Sequence, residues 1–422
     1  MFLTQSRSLR FACLTTFYVG QGIPLGLFNL ALPAWMAEQG YSAPEIAGFL
    51  AIAALPWAFK LFSGPFMDRF RFPAMGQRRP WVLGALLGLL LTYALGITFL
   101  QERPEVLSLT IFAILANSFA AMQDVAVDGL AIGIVPEQER GRANSFMAFG
   151  QVAGASASGG VSGWLLKDYG LNTALTAAAC VVLLVWLTAL AFRERPGERM
   201  LPWTAGATAG TAVVSEKMFS IFGGLVRALT RPTSLGFIAV SAIGWAGYGM
   251  STVFVPIVAV QRFEVASELY AQFAAYSSGG AALAVLLISP IIDRIGVRET
   301  VTLSCAAIAV LMFAAALLEP AWQLDMLVVG LVVTSLLSQF FFVGFIATHM
   351  NLTWPQIAAT QFAVYMALSN LCQSGGIAVY GIMADWGDGL LVAISATCFA
   401  ICALGYHLLD PKHQQQARLG AC

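Results

Sequence analysis

Three charged residues lie within long apolar segments of the chain, at Lys60, Asp124 and Asp128. A charge near the centre of a membrane helix costs roughly 2.5 to 3.5 kcal/mol on insertion scales, so residues of this kind are usually functional. A spacing of four places both aspartates on one face of a helix. Lys60 can neutralise one carboxylate, and the other can then bind and release a proton. These residues predict a proton-binding site at membrane depth.

Each of the three residues also has a simpler interpretation. Lys60 could extend its ammonium group to the cytoplasmic interface along its aliphatic stem. Asp128 could form a structural ion pair with Arg69 or Arg79, which makes Asp124 the better candidate for the coupling proton. We therefore assign Asp124, Asp128 and Lys60 to proton coupling as a hypothesis.

The composition requires lipid around the elements that carry these residues. Hydrophobic residues make up 59% of the 422 residues and charged residues 10%, which leaves too little polar surface for a soluble globule. Apolar stretches of about 20 residues can cross a hydrocarbon core of about 30 Å. Such stretches lie near residues 11–36, 44–66, 80–100, 106–135, 143–166, 171–192, 233–259, 268–292, 298–318, 323–350, 356–384 and 389–409. The sequence predicts an all-α integral membrane protein with twelve transmembrane helices.

The two halves of the chain repeat short motifs. Gly64-Pro65-Phe66-Met67-Asp68-Arg69 and Ser289-Pro290-Ile291-Ile292-Asp293-Arg294 stand 225 positions apart at equivalent helix ends. Spans five and eleven share the small residues Ser158-Gly159-Gly160 and Ser374-Gly375-Gly376, which permit close helix packing. Internal repeats of this kind are typical of secondary transporters. We therefore expect two pseudo-symmetric bundles of six helices.

A long hydrophilic connection separates the two predicted bundles. We expect the bundles at 1–193 and 232–422, with a cytoplasmic linker at 194–231. Glu216–Leu229 could form an amphipathic helix on the membrane surface. A loosely ordered tether is the alternative for this segment.

Positive charges are distributed unevenly between the predicted loops. Most of the 22 Lys and Arg residues fall on one side of the spans, and the other side holds only Arg103, Lys167 and Arg262. Because cations resist translocation, the cation-rich side is cytoplasmic, and both termini are expected there. The net charge of zero gives no support for nucleic-acid binding. The seven cysteines include no Cys-x-x-Cys pair, so no metal or other cofactor is predicted.

The pattern Gly64-x-x-x-Asp68-Arg69, followed by Gly76-Gln77-Arg78-Arg79, resembles the loop between spans two and three of the major facilitator superfamily. A charge pair at a helix end can form in one packing and be absent in another. The resemblance, extended through the repeat, implies a gating role for Asp68, Arg69, Arg78, Arg79, Asp293 and Arg294. A simple positive-inside anchor is the alternative for Arg78 and Arg79.

Four further motifs resemble the AmpG and acetyl-CoA transporter branch of that superfamily. They are Gln21-Gly22-Ile23-Pro24, Leu55-Pro56-Trp57-Ala58-Phe59-Lys60, Gln123-Asp124-Val125-Ala126-Val127-Asp128-Gly129 and Ala359-Thr360-Gln361-Phe362-Ala363. Members of the branch import peptidoglycan fragments, take up ferric siderophores or carry acetyl-CoA. The resemblance implies proton-coupled import of a muropeptide at a bacterial inner membrane, with siderophore or acetyl-CoA transport as alternatives. The twelve candidate spans differ from AmpG permeases, which typically have additional C-terminal ones.

Uncharged polar and aromatic residues at mid-span could contact a sizeable organic solute. They are Gln21, Asn29, Asn117, Gln123, Gln151, Trp245, Tyr248, Tyr276, Gln339, Asn370 and Gln373. Any one of them could instead form an interhelical hydrogen bond. The expected partners are therefore an organic solute, protons and the lipid bilayer, and a monomer is sufficient for transport.

Three other classes of protein compete with a secondary transporter. An ATP-driven pump is disfavoured because the sequence contains no Gly-x-x-x-x-Gly-Lys-Ser/Thr stretch. A membrane-embedded enzyme is disfavoured because the chain has only three histidines and no outer catalytic cluster. A non-transporting receptor would keep solute binding but lose gradient-driven accumulation.

Overall fold

The computed structural model describes residues 2–63, 66–67, 73–136, 139–204, 218–353 and 358–409. The first half contains α1 (Arg7–Glu38), α2 (Ala43–Phe59), α3 (Arg79–Phe99), α4 (Val106–Ile134), α5 (Arg140–Tyr169) and α6 (Leu171–Ala191). The linker contains α7 (Met218–Leu229). The second half contains α8 (Pro232–Arg262), α9 (Ser267–Ile295), α10 (Val297–Leu317), α11 (Leu324–Leu352), α12 (Ala358–Met383) and α13 (Asp388–Leu408). The all-α class predicted from sequence is confirmed.

Most of these helices have the length and composition of membrane spans. Among the described residues, nine helices are long and apolar enough to cross a bilayer. Helices α5 and α9 have 30 and 29 residues, so at 1.5 Å per residue each measures about 45 Å, which is long enough to cross a bilayer. Helix α2 is apolar and shorter. Together these helices are consistent with the twelve predicted spans, and the chain is a multi-pass membrane protein.

The first helix of each half contains a π-helical turn. A π-helical turn, Leu27–Ala31, interrupts α1, and another, Val258–Arg262, ends α8. Each turn follows a proline within the helix, Pro24 or Pro256. The wider turn is closed by an i to i−5 hydrogen bond, from the N–H of Leu32 to the Leu27 carbonyl in α1 and from the N–H of Phe263 to the Val258 carbonyl in α8.

Small residues allow two pairs of helices to approach closely, as the repeated patches predict. In the first half, a Cβ atom at Gly22 would meet the main chain of Gln151, and one at Gly154 would meet the main chain of Val19. Helices α1 and α5 are therefore in backbone contact. In the second half, a Cβ atom at Gly376 would meet the main chain of Ala246, so α12 and α8 are equally close.

The chain forms two compact units, and each contains residues from both halves of the sequence. The first unit comprises Met1–Tyr41, Phe59–Ala212 and Val265–Gly279, and the second comprises Ser42–Ala58, Val213–Glu264 and Gly280–Cys422. The predicted bundle boundaries at 1–193 and 232–422 stay a prediction.

Each unit contains a segment from the other half of the sequence, and contacts within the unit hold that segment in place. In the first unit, the beginning of α9 packs on α5, where Ala271 faces Gly163 and Lys167 Nζ lies 3.1 Å from Glu268 Oε2. In the second unit, most of α2 packs on α12. There Asn370 Nδ2 donates a hydrogen bond of 3.1 Å to the Trp57 carbonyl.

The start of the linker is fixed to the first unit by hydrogen bonds. The Glu194 carboxylate accepts hydrogen bonds from the main-chain N–H groups of Gln77, Arg78 and Arg79 at 3.1, 2.7 and 2.6 Å. These groups lie at the beginning of α3, where a negative charge is favoured by the helix dipole. Later in the linker, α7 buries Leu225 beside α12. The location of α7 on the membrane surface stays a prediction.

Candidate functional site

A buried ion pair within the first unit joins the short turn after α2 to α4. Lys60 begins a short 3-10 turn, Lys60–Phe62, directly after α2, and its Nζ lies 2.7 Å from Asp124 Oδ2. The Lys60 side chain is 17% exposed and the Asp124 side chain 6%. The ammonium group is therefore held by Asp124 and does not extend along the surface. Removing one partner of such a pair leaves a buried charge uncompensated, which typically costs about 3 to 5 kcal/mol.

Two glutamines extend the contacts of Asp124 to α1 and α5. Gln21 Nε2 donates to Asp124 Oδ1 at 2.5 Å, and Gln151 Nε2 donates to Gln21 Oε1 at 2.6 Å. An ionised carboxylate only accepts hydrogen bonds, so Gln21 must present its NH₂ group to Asp124 and its oxygen to Gln151. A continuous chain of polar contacts therefore joins Lys60, Asp124, Gln21 and Gln151.

Asp128 lies one turn beyond Asp124 on α4 and has a different partner. Tyr18 on α1 donates a hydrogen bond of 2.5 Å from its Oη to Asp128 Oδ1. The same hydroxyl lies 3.5 Å from Asp124 Oδ1. Sequence analysis missed Tyr18. Its only signal is that it precedes Gln21 by three residues and so shares a face of α1.

Arg79 does not pair with Asp128. Its guanidinium group donates instead to the main-chain oxygens of Ala189, Leu190 and Met200, at 3.0, 2.7 and 2.9 Å. It therefore joins the beginning of α3 to the end of α6 and to the linker. Of the two ion-pair partners predicted for Asp128, Arg79 is thus engaged elsewhere, and Arg69 lies outside the described residues.

The structure describes only some of the remaining residues assigned to gating. Asp68 and Arg69 lie outside the described residues. The Arg78 side chain lies against α4, where a Cβ atom at Gly129 would meet its Nε. Asp293 and Arg294 are in the last turn of α9. The gating role of all these residues stays a prediction.

The structure brings some of the predicted solute residues of the first unit together. Gln21 and Gln151 belong to the polar chain around Asp124, while Gln123 donates to the Phe17 carbonyl at 2.9 Å and so joins α4 to α1. Asn117 is buried on α4. Asn29 is exposed in the π-helical turn of α1, and Tyr276 on α9 is 73% exposed. Asn29 and Tyr276 are thus much more accessible than the polar chain.

In the second unit, Trp245 and Tyr248 belong to an aromatic cluster on α8 and α11. Their rings pack edge to face with centroids 5.5 Å apart, and Trp245 also meets Phe345 at 5.3 Å. Trp245 is buried, and its indole N–H has no hydrogen-bond partner among the described residues. The other predicted solute residues of this unit are Gln339, Asn370 and Gln373, all partly buried on α11 and α12.

A buried histidine lies beside this aromatic cluster. His349 Nδ1 lies 3.0 Å from the Phe345 carbonyl one turn earlier on α11. The His349 ring also packs edge to face on Tyr365 of α12, with centroids 4.8 Å apart. A cavity of about 10 Å³ adjoins it, lined also by Ser241 and Ser369, and a space of that size holds at most one water molecule.

Sequence comparison identifies the class of protein that carries this site. A profile of the Major Facilitator Superfamily matches residues 12–381. The chain therefore belongs to the Major Facilitator Superfamily, and it is a transporter and not an enzyme.

Among curated proteins, the chain is similar to transporters of the AmpG type. It is 30% identical over 160 residues to the anhydromuropeptide permease of Escherichia coli K12, covering 38% of this chain and 32% of that protein. It is also 30% identical over 188 residues to a Rickettsia conorii protein designated transporter AmpG 4, covering 43% of each. The matched stretches thus span less than half of these relatives.

Solved structures show the same fold at low sequence identity. The D-xylose–proton symporter has a TM-score of 0.71 at 14% identity, covering 95% of this chain and 97% of that one. A POT family transporter in complex with a thioalcohol-conjugated peptide has a TM-score of 0.70 at 10% identity, covering 95% and 96%. These likenesses concern the fold alone.

Proposed function

We propose that the chain imports a muropeptide, a peptidoglycan fragment, together with protons across a bacterial inner membrane. The observation that carries the proton part is the buried group of one lysine and two aspartates, Lys60, Asp124 and Asp128. Lys60 supplies one positive charge, which pairs with Asp124, because Lys60 Nζ lies 2.7 Å from Asp124 Oδ2. Among the described residues, the hydrogen-bond donor to Asp128 is neutral, the hydroxyl of Tyr18. A proton on Asp128 is the simplest way to keep this group electrically neutral at membrane depth.

Asp128 is therefore the residue to which we assign the coupling proton, with Asp124 as the partner of Lys60. Tyr18 donates to Oδ1 of Asp128, so the proton is added at Oδ2. The two carboxylates lie close enough to share one hydroxyl, so a change in the Lys60 contact alters the charge that each of them can carry. Alternating access, in which one part of the fold rocks against another, supplies such a change.

The assignment of a muropeptide is supported by the permease of Escherichia coli, whose name states that class of substrate. Polar amides near the charged group also suit a solute rich in hydroxyl and amide groups. Both termini are assigned to the cytoplasm from the distribution of cations. We assign the working unit as a monomer in the lipid bilayer.

Uptake into proteoliposomes tests this function. Labelled anhydromuropeptide, ferric siderophore and acetyl-CoA are each offered with and without an inward proton gradient. Accumulation of the muropeptide only with the gradient is the expected result. Gradient-driven accumulation of the siderophore or of acetyl-CoA would show that this solute, and not the muropeptide, is the substrate. Uptake of all three solutes that does not depend on the gradient would contradict proton coupling.

The variant Asp128→Asn separates a coupled transporter from a receptor. It removes the proposed proton site but keeps the shape of the side chain and an oxygen that accepts from Tyr18. Accumulation of the muropeptide against a gradient should be lost, while exchange of muropeptide across the membrane is retained. A receptor would bind the muropeptide without exchange in both the wild type and the variant.

A further inference from the structure

We propose that Gln151 contacts the transported solute and that its hydrogen bond to Gln21 couples solute binding to the ion pair of Asp124 and Lys60. The inference rests on the proposed function, because it names the contact through which a proton-coupled solute acts. The chemistry it requires of the solute is a hydrogen-bond donor, either a hydroxyl or an amide N–H group.

The free end of Gln151 is the observation that points to a solute. Its NH₂ group donates to Gln21 Oε1 at 2.6 Å, and its own Oε1 has no partner in the part of the chain that the structure describes. The residue is only partly buried, whereas Gln21 and Gln123 are each 1% exposed. A side-chain acceptor at the accessible end of a buried polar chain can receive a donor from outside the protein.

The direction of the effect follows from the polarity of the chain. A donor bound to Gln151 Oε1 polarises that amide and strengthens its donation to Gln21. Gln21 then donates more strongly to Asp124, which favours the ionised carboxylate and its contact with Lys60. The positive charge of Lys60 is then balanced by Asp124. Asp128 must therefore bind a proton for the three residues to have no net charge. Solute and proton thus favour each other's binding, and by linkage the factor is the same in both directions.

Infrared spectroscopy tests the chain without any solute. The full chain is labelled with ¹³C-aspartate and reconstituted in liposomes, and the aspartate carboxylate bands are compared between variants. Gln151→Leu is expected to shift one of these bands, because Gln21 loses the donor that polarises it. The matched control is Gln272→Leu, which removes an amide bonded to Glu268 at 3.0 Å on α9. Unshifted aspartate bands in Gln151→Leu overturn the proposal.

Transport measurements test the coupling itself. The affinity for labelled anhydromuropeptide is measured in proteoliposomes at several pH values, together with the protons taken up per muropeptide. Coupling between two sites typically changes affinity about 5- to 150-fold, and Gln151→Leu should lose most of the change with pH that the wild type shows. Gln272→Leu should retain it.

The two measurements separate failure of this inference from failure of the proposed function. If the wild type takes up muropeptide in a pH-dependent way and Gln151→Leu keeps the same dependence, the coupling role of Gln151 is wrong and the proposed function stands. If the wild type takes up no muropeptide at any pH, the proposed substrate is wrong, and the infrared comparison still decides whether Gln151 acts on the aspartate.

Discussion

Tyr18 donates a hydrogen bond of 2.5 Å to Asp128 from the neighbouring helix α1. The same hydroxyl lies 3.5 Å from Asp124, so it stands beside both carboxylates of α4. The two aspartates therefore differ in their partners: Asp124 contacts a cation, and Asp128 contacts a neutral hydroxyl. In the proposed mechanism, that difference allows Asp124 to stay charged while Asp128 exchanges a proton.

Removing the Tyr18 hydroxyl should move the pH dependence of transport. In Tyr18→Phe the ionised form of Asp128 loses a donor, and hydrogen bonds to charged groups contribute about 1.5 to 3 kcal/mol. Since about 1.4 kcal/mol corresponds to one pH unit, the midpoint of pH-dependent muropeptide uptake should rise by about one to two units. Uptake into proteoliposomes between pH 5 and 9 measures this.

Tyr93→Phe is the matched control for that measurement. The Tyr93 ring is fully buried, and its hydroxyl has no hydrogen-bond partner in the described part of the chain. Its removal should leave the pH midpoint unchanged. Equal shifts in the two variants, or no shift in Tyr18→Phe, would contradict a special role for the Tyr18 hydroxyl.

Neutralising both members of the buried ion pair should be less damaging than neutralising one. Lys60→Met and Asp124→Asn each leave one buried charge uncompensated, at a cost of about 3 to 5 kcal/mol. The double variant removes both charges, so its thermal unfolding temperature in detergent should recover much of the loss. The exposed pair of Lys167 and Glu268, 3.1 Å apart, is the comparison, because surface pairs contribute only about 0 to 1 kcal/mol. Additive losses in the double variant would show that the two charges act independently.

Sequence reasoning identified the three charged residues but not the hydrogen bonds that surround them. The apolar runs located the helices, and a charge within an apolar run is conspicuous, so Lys60, Asp124 and Asp128 could be identified. Tyr18 could not, because a tyrosine in an apolar helix is ordinary until its neighbour is known. The same limit applies to Arg79, whose hydrogen-bond partners are main-chain oxygens of α6 and the linker. Periodicity shows which face of a helix is polar, and only packing shows what it faces.

The glycines between paired helices should tolerate no side chain. In Gly22→Ala and Gly376→Ala the new methyl group would meet main-chain atoms of the adjacent helix, which cannot move aside as a flexible side chain can. Both variants should lower the thermal unfolding temperature and the yield of folded protein. At Gly84 and Gly330 a Cβ atom meets nothing within 4 Å, and alanine in an exposed helix position gains about 0.5 to 1 kcal/mol over glycine. Equal behaviour of the two pairs would argue against backbone contact.

Glu194 should stabilise the first unit through its charge. It accepts hydrogen bonds from three N–H groups at the beginning of α3, at 2.6 to 3.1 Å. Glu194→Gln replaces one accepting oxygen by an NH₂ group that cannot accept, so a loss of about 1.5 to 3 kcal/mol is expected. Thermal unfolding at pH 7 measures it. An unchanged unfolding temperature would show that water replaces the carboxylate at this helix end without cost.

Glu198, four residues further along the linker, should behave in the opposite way. Burial raises the pKa of its carboxyl above the usual value, although the main-chain N–H of Arg195 donates to it at 3.0 Å. A carboxyl whose pKa is higher in the folded state contributes stability when protonated, and this contribution is lost as the pH rises through the folded-state pKa. Glu198→Gln keeps a neutral side chain at every pH, so it should raise the unfolding temperature at pH 8 and change it little at pH 4. A destabilised variant at pH 8 would mean that the ionised carboxylate is stabilised by its contacts more than it is penalised by burial.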